Sequence, residues 1–325
     1  MFLIVIPIIT LRPAHPAWRS LRRLALVALA CAALVGASVA CGSDDDADGR
    51  PNVVVTTPVL GSLVQDVVGD AARVTVVMPN GADPHQFQPS ARDVETIVNA
   101  DLVVENGLDL EEGMHDALGQ ARDDGIPFFT ASDHVTVRTA SESEASDEGH
   151  GAEDPHIWMD PIAMRYAARA LAPALGGLGL DADVAADRLA GRLDQIDAQV
   201  RRTLAPIPPD RRKLVTGHES MGYFADRYGF ELSGAIIPSL SSQAQPSAQA
   251  LAELRDKVRA AGVPTIFTEL GTPEDVAEAI GDETGARVLQ IATHTLPDDG
   301  SYATFMQQAA RTVVDGLAGP PPPQS

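Results

Sequence analysis

Short apolar runs alternate with longer stretches of helical spacing along residues 53–317. Most of the apolar runs are rich in β-branched residues, which is typical of buried strands. These predicted strands lie at 53–56, 74–78, 102–104, 127–129, 135–137, 213–216, 232–238, 265–268 and 288–291. The helical spacing predicts helices at 59–68, 90–100, 110–122, 163–178, 220–228, 246–261, 273–284 and 302–317. Alternation of strands and helices in both halves predicts an α/β protein with parallel sheets wound by helices.

A longer amphipathic helix is predicted between the two halves, at 181–205. Apolar residues recur in it every three or four positions, and prolines directly beyond it end the pattern. We therefore expect an N-terminal α/β lobe at 52–180 and a C-terminal α/β lobe at 206–318, joined by this one helix. The proline-rich tail at 319–325 is expected to be disordered.

The N-terminal segment has the pattern of an export signal. A basic region and an apolar run end in small residues before Cys41, and aspartates follow. This pattern resembles a bacterial lipoprotein signal, although Ser38 stands where leucine is typical. We expect 1–41 to be the signal peptide, Cys41 to carry the lipid and 42–51 to be a flexible tether. The body would then be extracytoplasmic and held at the cell membrane by its lipid anchor only; an uncleaved membrane anchor is the alternative.

The charge and cysteine content exclude several functions. The formal net charge of −21 disfavours nucleic acid as a partner and attracts cations, or else it serves solubility in an acidic proteome. No cysteine follows Cys41, so the body holds no thiolate zinc site, Fe–S cluster or cysteine nucleophile. The acidic segment 139–154 has almost no apolar residue, and it is either a solvated linker or a cation-collecting lid.

Histidines and one glutamate occupy positions where ligands bind in α/β proteins. Asp-Pro-His occurs twice, ending at His85 and at His156, and the proline presents each histidine on a stiff, extended segment. His218, Glu269 and His294 lie just beyond predicted strands, as His85 also does. Because ligands bind at the carboxyl edge of parallel sheets, we expect all five side chains to meet in a crevice between the lobes.

Convergent imidazoles without sulfur favour a zinc site. Such a set suits Zn²⁺ and, more loosely, Cu²⁺, Ni²⁺ or Mn²⁺, and four neutral nitrogens fill a tetrahedral shell. Manganese is disfavoured because it prefers oxygen ligands. The predicted ligands are His85, His156, His218 and His294. Each ligand needs an acceptor for its second ring nitrogen; the candidates are Asp83, Asp154, Asp160 and Glu269.

Four motifs resemble those of the metal-binding receptor lipoproteins of ABC importers for zinc and manganese, especially the ZnuA-type zinc receptors. The resemblance covers 53–317, and the motifs are Gly-Ala-Asp-Pro-His at 81–85, Asp-Pro-His-Ile-Trp-Met-Asp-Pro at 154–161, Thr-Gly-His-Glu-Ser-Met-Gly-Tyr-Phe at 216–224 and Phe-Thr-Glu at 267–269. Manganese members tend to have a carboxylate where this chain has His218, so the resemblance favours zinc.

The sequence departs from this family after the last strand and in the acidic segment. The family usually has an aspartate where this chain has His294, which gives four histidines; Asp298 or Asp299 could supply the fourth ligand instead. The acidic segment 139–154 replaces the family's histidine-rich loop.

The resemblance implies two α/β lobes joined by one rigid helix that permits only small lobe motions. It also implies a monomeric receptor, not an enzyme, that carries Zn²⁺ to an ABC permease and its ATPase. Three alternatives stay open: a receptor for manganese or another divalent metal, an extracytoplasmic zinc hydrolase with Glu219 or Glu269 as its base, and an adhesin with a structural metal site. No HExxH motif supports the hydrolase.

Overall fold

The structure, a computed structural model, describes residues 49–140 and 152–318. The predicted signal peptide, Cys41, most of the predicted tether and the C-terminal tail lie outside the described residues, as does most of the acidic segment. None of the helices within the described residues combines the length and the hydrophobicity needed to cross a membrane.

The first half of the described chain forms one fully parallel sheet. Its elements are β1 (Asn52–Val55), α1 (Pro58–Val68), β2 (Arg73–Val76), α2 (Ala91–Val98), β3 (Leu102–Glu105), α3 (His115–Asp123) and β4 (Phe128–Thr130). The strand order is β2-β1-β3-β4, and every pair of neighbours is parallel. The central β1 and β3 are almost entirely buried because helices cover the sheet.

Two helices connect this half to a second parallel sheet. They are α4 (Pro161–Gly176) and α5 (Asp183–Leu204). The second half comprises β5 (Lys213–Thr216), α6 (Gly222–Tyr228), β6 (Glu231–Ala235), α7 (Ala248–Ala261), β7 (Thr265–Thr268), α8 (Glu274–Thr284), β8 (Arg287–Gln290) and α9 (Tyr302–Leu317). Its order, β6-β5-β7-β8, repeats the topology of the first sheet. The predicted α/β class with two parallel sheets is confirmed.

One hydrophobic core runs along α5 and into both halves. Leu189, Leu193 and Val200 of α5 are buried in the same cluster as Val53 from β1 and Phe305 from α9. Burial of each large apolar side chain contributes about 1.5–3 kcal/mol. The long helix is therefore held by the first and second halves together.

Two local predictions were wrong. The stretch 135–137 is not a strand, because a 3₁₀ turn at Ala131–His134 carries the chain away from the sheet and pairing resumes only in an isolated antiparallel bridge between Thr139 and Glu153. The predicted helix at 110–122 begins later, since Leu108 and Asp109 have positive φ angles of 58° and 56° and a 3₁₀ turn follows. Both turns lie beside the carboxyl edge of the first sheet, where they shape the site.

Candidate metal centre

The carboxyl edges of the two sheets carry the predicted site residues. His218 follows the end of β5 by two residues, Glu269 follows β7 directly, and His294 lies shortly after β8. His85 lies in the loop between β2 and α2, and His156 immediately precedes a 3₁₀ turn at Ile157–Met159. The four histidines thus come from loops of both halves.

The two Asp-Pro-His motifs adopt the same local geometry. Asp83 Oδ1 accepts the backbone N–H of His85 at 3.0 Å, and Asp154 Oδ1 accepts that of His156 at 2.9 Å. This bond from an aspartate to the residue two positions later is an Asx-type turn. The repeated sequence therefore fixes the backbone of each histidine in the same way.

Three histidines converge through their Nε2 atoms. The Nε2 of His156 lies 3.4 Å from that of His85 and 3.2 Å from that of His218. All three side chains are buried, and their potential ligand atoms lie within 4.8 Å of one another. Four nitrogens about 2.05 Å from a tetrahedral metal ion are about 3.3 Å apart, and the two distances from Nε2 of His156 are close to this value.

The other ring nitrogen of each of these histidines faces a carboxylate. Nδ1 of His156 lies 2.8 Å from Asp154 Oδ1, and Nδ1 of His218 lies 2.8 Å from Glu269 Oε1. Nδ1 of His85 lies 3.3 Å from Oε1 of Glu112. A carboxylate can only accept, so Nδ1 carries a proton, and in its neutral form each ring directs the lone pair of Nε2 into the cluster.

His294 has the same arrangement with a hydroxyl in place of a carboxylate. Its Nδ1 lies 3.0 Å from Oγ1 of Thr293, which in turn donates its hydroxyl hydrogen to Oε2 of Glu269. Nε2 of His294 is buried and has no hydrogen-bond partner among the described residues. The ring centroid of His294 lies 6.3 Å from that of His218, slightly further out than the other three rings lie from each other.

Burial lowers the pKa values of two histidines in the cluster, whereas an ion pair raises that of a third. Burial lowers the pKa of His156 well below its ordinary value, and it lowers that of His294 to about 4. Burial also opposes the charged form of His218, but the facing Glu269 carboxylate outweighs it and raises the pKa of His218. The same pairing keeps the pKa of Glu269 below its usual range despite burial. Among His156, His218 and His294, it is therefore the charged form of His218 that the surroundings favour.

Arg138 extends the arrangement behind His156. Burial raises the pKa of Asp154 to about 6, although Arg138 opposes this shift through an ion pair of 3.2 Å. The guanidinium also bonds Asp226 of α6 at 2.9 Å, and the backbone N–H of Arg138 donates to the hydroxyl of Tyr223. The carboxylate that holds His156 is thus connected to a helix of the second half.

Three predicted acidic residues lie away from the cluster. Asp160 caps α4 by accepting the N–H of Ile162 at 2.7 Å. Asp299 is exposed and bonds Ser301 and Thr304 at the start of α9, and Asp298 is exposed beside it. Asp83 acts on the backbone of His85 rather than on its ring.

Sequence reasoning missed three residues that orient the histidines. Glu112, Thr293 and Arg138 provide or support the Nδ1 partners of His85, His294 and His156. Thr293 could have been found from its position beside His294 at a strand end. Glu112 and Arg138 lie in turns that no pattern of apolar spacing distinguishes, so their roles depend on the tertiary structure.

Comparison with known proteins places the fold and site in context. Residues 53–316 match the family model ZnuA, described as the periplasmic component A of a zinc-uptake complex. The chain is 31% identical to the zinc-binding protein TroA of Treponema pallidum, over 91% of this chain and 98% of TroA. The solved structure of TroA superposes with a TM-score of 0.73 at 28% identity, covering 83% of this chain and all of that one.

Manganese proteins are also among the relatives. The manganese ABC transporter substrate-binding lipoprotein PsaA of Streptococcus pneumoniae is 24% identical, over 91% of this chain and 99% of PsaA. The FpvC structure from Pseudomonas aeruginosa, in complex with Mn²⁺, has a TM-score of 0.72 at 26% identity and covers 82% of this chain and 98% of FpvC.

Proposed function

The chain belongs to the ZnuA family of periplasmic metal-binding receptors of ABC importers, and on that premise we propose that it binds Zn²⁺ as cargo for an import permease and its ATPase. Its site would take the ion between the loops of the two halves that carry the four histidines. His85, His156, His218 and His294 would be the ligands, with the last of these closing a tetrahedral shell.

The spacing of the Nε2 atoms is the observation that carries this proposal. Nε2 of His156 can accept a proton from His218 across 3.2 Å, but that one proton leaves the 3.4 Å contact between His156 and His85 unbridged, whereas a cation satisfies both contacts. The buried Nε2 of His294, without a hydrogen-bond partner among the described residues, is also an expensive arrangement for a polar atom. A metal ion at the centre satisfies all four nitrogens at once.

Nitrogen donors support zinc over manganese as the cargo. Zn²⁺ is commonly bound by imidazoles in a tetrahedral shell, whereas Mn²⁺ favours more ligands and oxygen donors. The cluster of His85, His156 and His218 contains no coordinating carboxylate, since Asp154, Glu269 and Glu112 face the Nδ1 atoms. Both metals occur among the relatives, so a direct competition between Zn²⁺ and Mn²⁺ for the protein is the experiment that decides between them.

Enzymatic use of the site is disfavoured by the family and by the position of the candidate base. The family consists of receptors and not of enzymes. Glu269, one of the two residues that a hydrolase could use to activate water, already accepts hydrogen bonds from the backbone of His218 and from the hydroxyls of Ser220 and Thr293.

The proposal extends to the location and organisation of the chain. The family is periplasmic, and lipidation at Cys41 would hold the receptor at the membrane beside its permease. We propose a monomer whose lobes, 52–180 and 206–318, are joined by the helix at 181–205. The burial of α5 against both halves supports small lobe motions.

Elemental analysis and competition titration test the cargo. The full mature chain, purified without added metal, should contain about one zinc per chain, and excess Mn²⁺ should not displace it. His156→Ala should weaken zinc binding by more than about 100-fold, since loss of a ligand exceeds the 10–100-fold cost of losing a supporting residue. His115→Ala, at an exposed histidine of α3, is the matched control and should bind as the parent does. Preferential loading with Mn²⁺, or unchanged zinc affinity in His156→Ala, would reject the proposal.

A further inference from the structure

We propose that Glu112 is a positioning residue that couples His85 to the second half of the molecule, so that a clasp formed by residues 240–243 controls the rate of metal release. This inference rests on the proposed function, because it concerns how the same cargo leaves. It predicts that His85 is the first ligand to detach from the metal ion during release.

Glu112 bonds the ligand histidine on one side and the clasp on the other. Its Oε1 lies 3.3 Å from Nδ1 of His85 and accepts the hydroxyl of Ser241 at 2.8 Å. Its Oε2 accepts Nε2 of Gln243 at 2.9 Å. The orientation of the His85 ring therefore depends on a carboxylate whose own position is set by the opposite half of the molecule.

The clasp has further bonds to the segment that carries His85. Ser242 donates its hydroxyl to Asp83 Oδ2 at 2.6 Å, and Gln243 also donates to the backbone carbonyl of His85. Leu240 packs with Ala140 and Ala152, at the two ends of the acidic segment. Each residue of the clasp thus contacts the first half close to His85.

Glu112 is the most exposed of the three carboxylates that orient the histidines. Its side chain is 38% exposed, whereas those of Asp154 and Glu269 are 0% and 1% exposed. Water competes with partly exposed hydrogen bonds, so the support of His85 is easier to exchange than that of His156 or His218.

A cavity between His85 and the clasp provides the path by which the ion leaves. It has a volume of about 300 Å³ and is lined by His85, Glu112, Leu240 and Ser241, together with the acidic Asp109 and Glu153. Rotation of His85 into this cavity would open one face of the shell toward solvent. Opening of the clasp would remove the bonds that prevent this rotation.

Stopped-flow transfer of zinc from the loaded, full mature chain to an excess of chelator tests the coupling. Glu112→Ala should accelerate release by about 10–100-fold, the range for loss of a residue that supports a metal ligand. Its association rate should stay within about twofold of that of the parent. Glu112→Gln keeps an oxygen that can accept from Nδ1 of His85, so its release rate should lie between those of the parent and Glu112→Ala.

A double-mutant cycle identifies the clasp as the partner of Glu112. Ser241→Ala removes one hydrogen bond to the carboxylate and should accelerate release by about three- to tenfold. Combined with Glu112→Ala, it should add no further acceleration, because both changes interrupt the same connection. Asp109→Asn removes one negative charge from the same cavity and is the charge control; its release rate should match that of the parent.

The outcomes separate this inference from the proposed function. A parent protein that binds no metal overturns both. A parent that binds zinc tightly, with Glu112→Ala releasing it at the parental rate, overturns only the positioning role. Equal acceleration by Asp109→Asn and Glu112→Gln would mean that cavity charge alone sets the rate, and multiplicative effects of Ser241→Ala and Glu112→Ala would remove the clasp from the pathway.

Discussion

The hydroxyl of Thr293 lies 3.0 Å from Nδ1 of His294 and is hydrogen-bonded to Glu269 at the same time. Glu269 also faces Nδ1 of His218 at 2.8 Å. One buried carboxylate therefore orients two of the four histidines, the first directly and the second through a hydroxyl. When both rings are neutral, these hydrogen bonds place the ring proton on Nδ1 and leave the lone pair of Nε2 free on both rings.

Thr293→Val should weaken zinc binding by about tenfold, because the nearly isosteric valine offers no acceptor to Nδ1 of His294. Competition with a fluorescent zinc chelator measures this change. Thr295→Val, in the same loop, is the control and should bind as the parent does. Parental affinity in Thr293→Val would mean that His294 does not complete the shell, and that the fourth ligand lies elsewhere.

Zinc binding should release close to one proton per ion near neutral pH. Glu269 raises the pKa of His218, so this imidazole keeps its proton to higher pH than an ordinary histidine and must lose it to bind. His156 and His294 have lowered pKa values and are already neutral. The logarithm of the apparent affinity should therefore fall by about one for each pH unit below the raised pKa of His218.

Calorimetry in buffers of different ionisation enthalpy at pH 6.5 counts this proton. His218→Ala provides the comparison, since its residual binding should release almost none. Release of two or more protons by the parent would contradict the assignment, because it would require a second ligand histidine to be charged before binding.

The sequence sufficed to predict that His85, His156 and His218 meet, whereas His294 as a fourth ligand stays a prediction. Strand ends are visible as the limits of apolar runs, so His218 and His294 could be assigned to one edge before any coordinates were known, and the repeated Asp-Pro-His motif identified His85 and His156. The acceptors of the second ring nitrogens were harder to predict. Asp160, for example, uses its carboxylate to cap a helix instead of accepting from a histidine. Glu112 reaches His85 only through a turn with positive φ angles, which amphipathic spacing does not predict.

Glu111→Gln should stabilise the metal-free protein at pH 8 but not at pH 4. Burial raises the pKa of Glu111 from 4.5 to about 7, even though Thr56 and the N–H of Asn106 donate to it. The folded protein holds this proton more tightly than the unfolded chain, so the parental stability declines as the pH rises from about 4.5 to 7. Each pKa unit corresponds to 1.36 kcal/mol, so the cost above pH 7 is about 3 kcal/mol.

Urea unfolding of parent and variant across this pH range measures the effect as a difference, which cancels other titrating groups. The variant should show the flatter pH profile between pH 4.5 and 7. A constant stability difference over that range would mean that Glu111 ionises with an ordinary pKa.

Gly222→Ala should weaken zinc binding and lower the melting temperature. A Cβ at this first residue of α6 would overlap the guanidinium of Arg138 and Oδ2 of Asp154. The ion pair between these two side chains, which supports His156, would then have to separate. We expect about a tenfold loss of affinity. Gly119→Ala in α3 is the control: its Cβ would meet open space, and alanine favours the helix by up to about 1 kcal/mol. Equal behaviour of the two variants would contradict the role of Arg138.

The fold was predictable because strands and helices alternate regularly along the sequence. The elements that were predicted wrongly have local causes. Continuous apolar runs such as β1 and β3 can only be buried strands when helices follow them. The failure at 135–137 arose because alternation of Val and Thr resembles a strand, whereas the 3₁₀ turn before it directs the chain away from the sheet. Pairing of edge strands depends on the direction of approach, which composition does not encode.

The continuous core along α5 has a consequence for how the molecule denatures. Apolar side chains of this helix pack simultaneously with β1 and α9, at opposite ends of the described sequence. Neither half can melt without exposing part of the other's interior, so heat should produce a single calorimetric transition with equal calorimetric and van't Hoff enthalpies. Limited proteolysis should accordingly yield no stable fragment that corresponds to half of the protein.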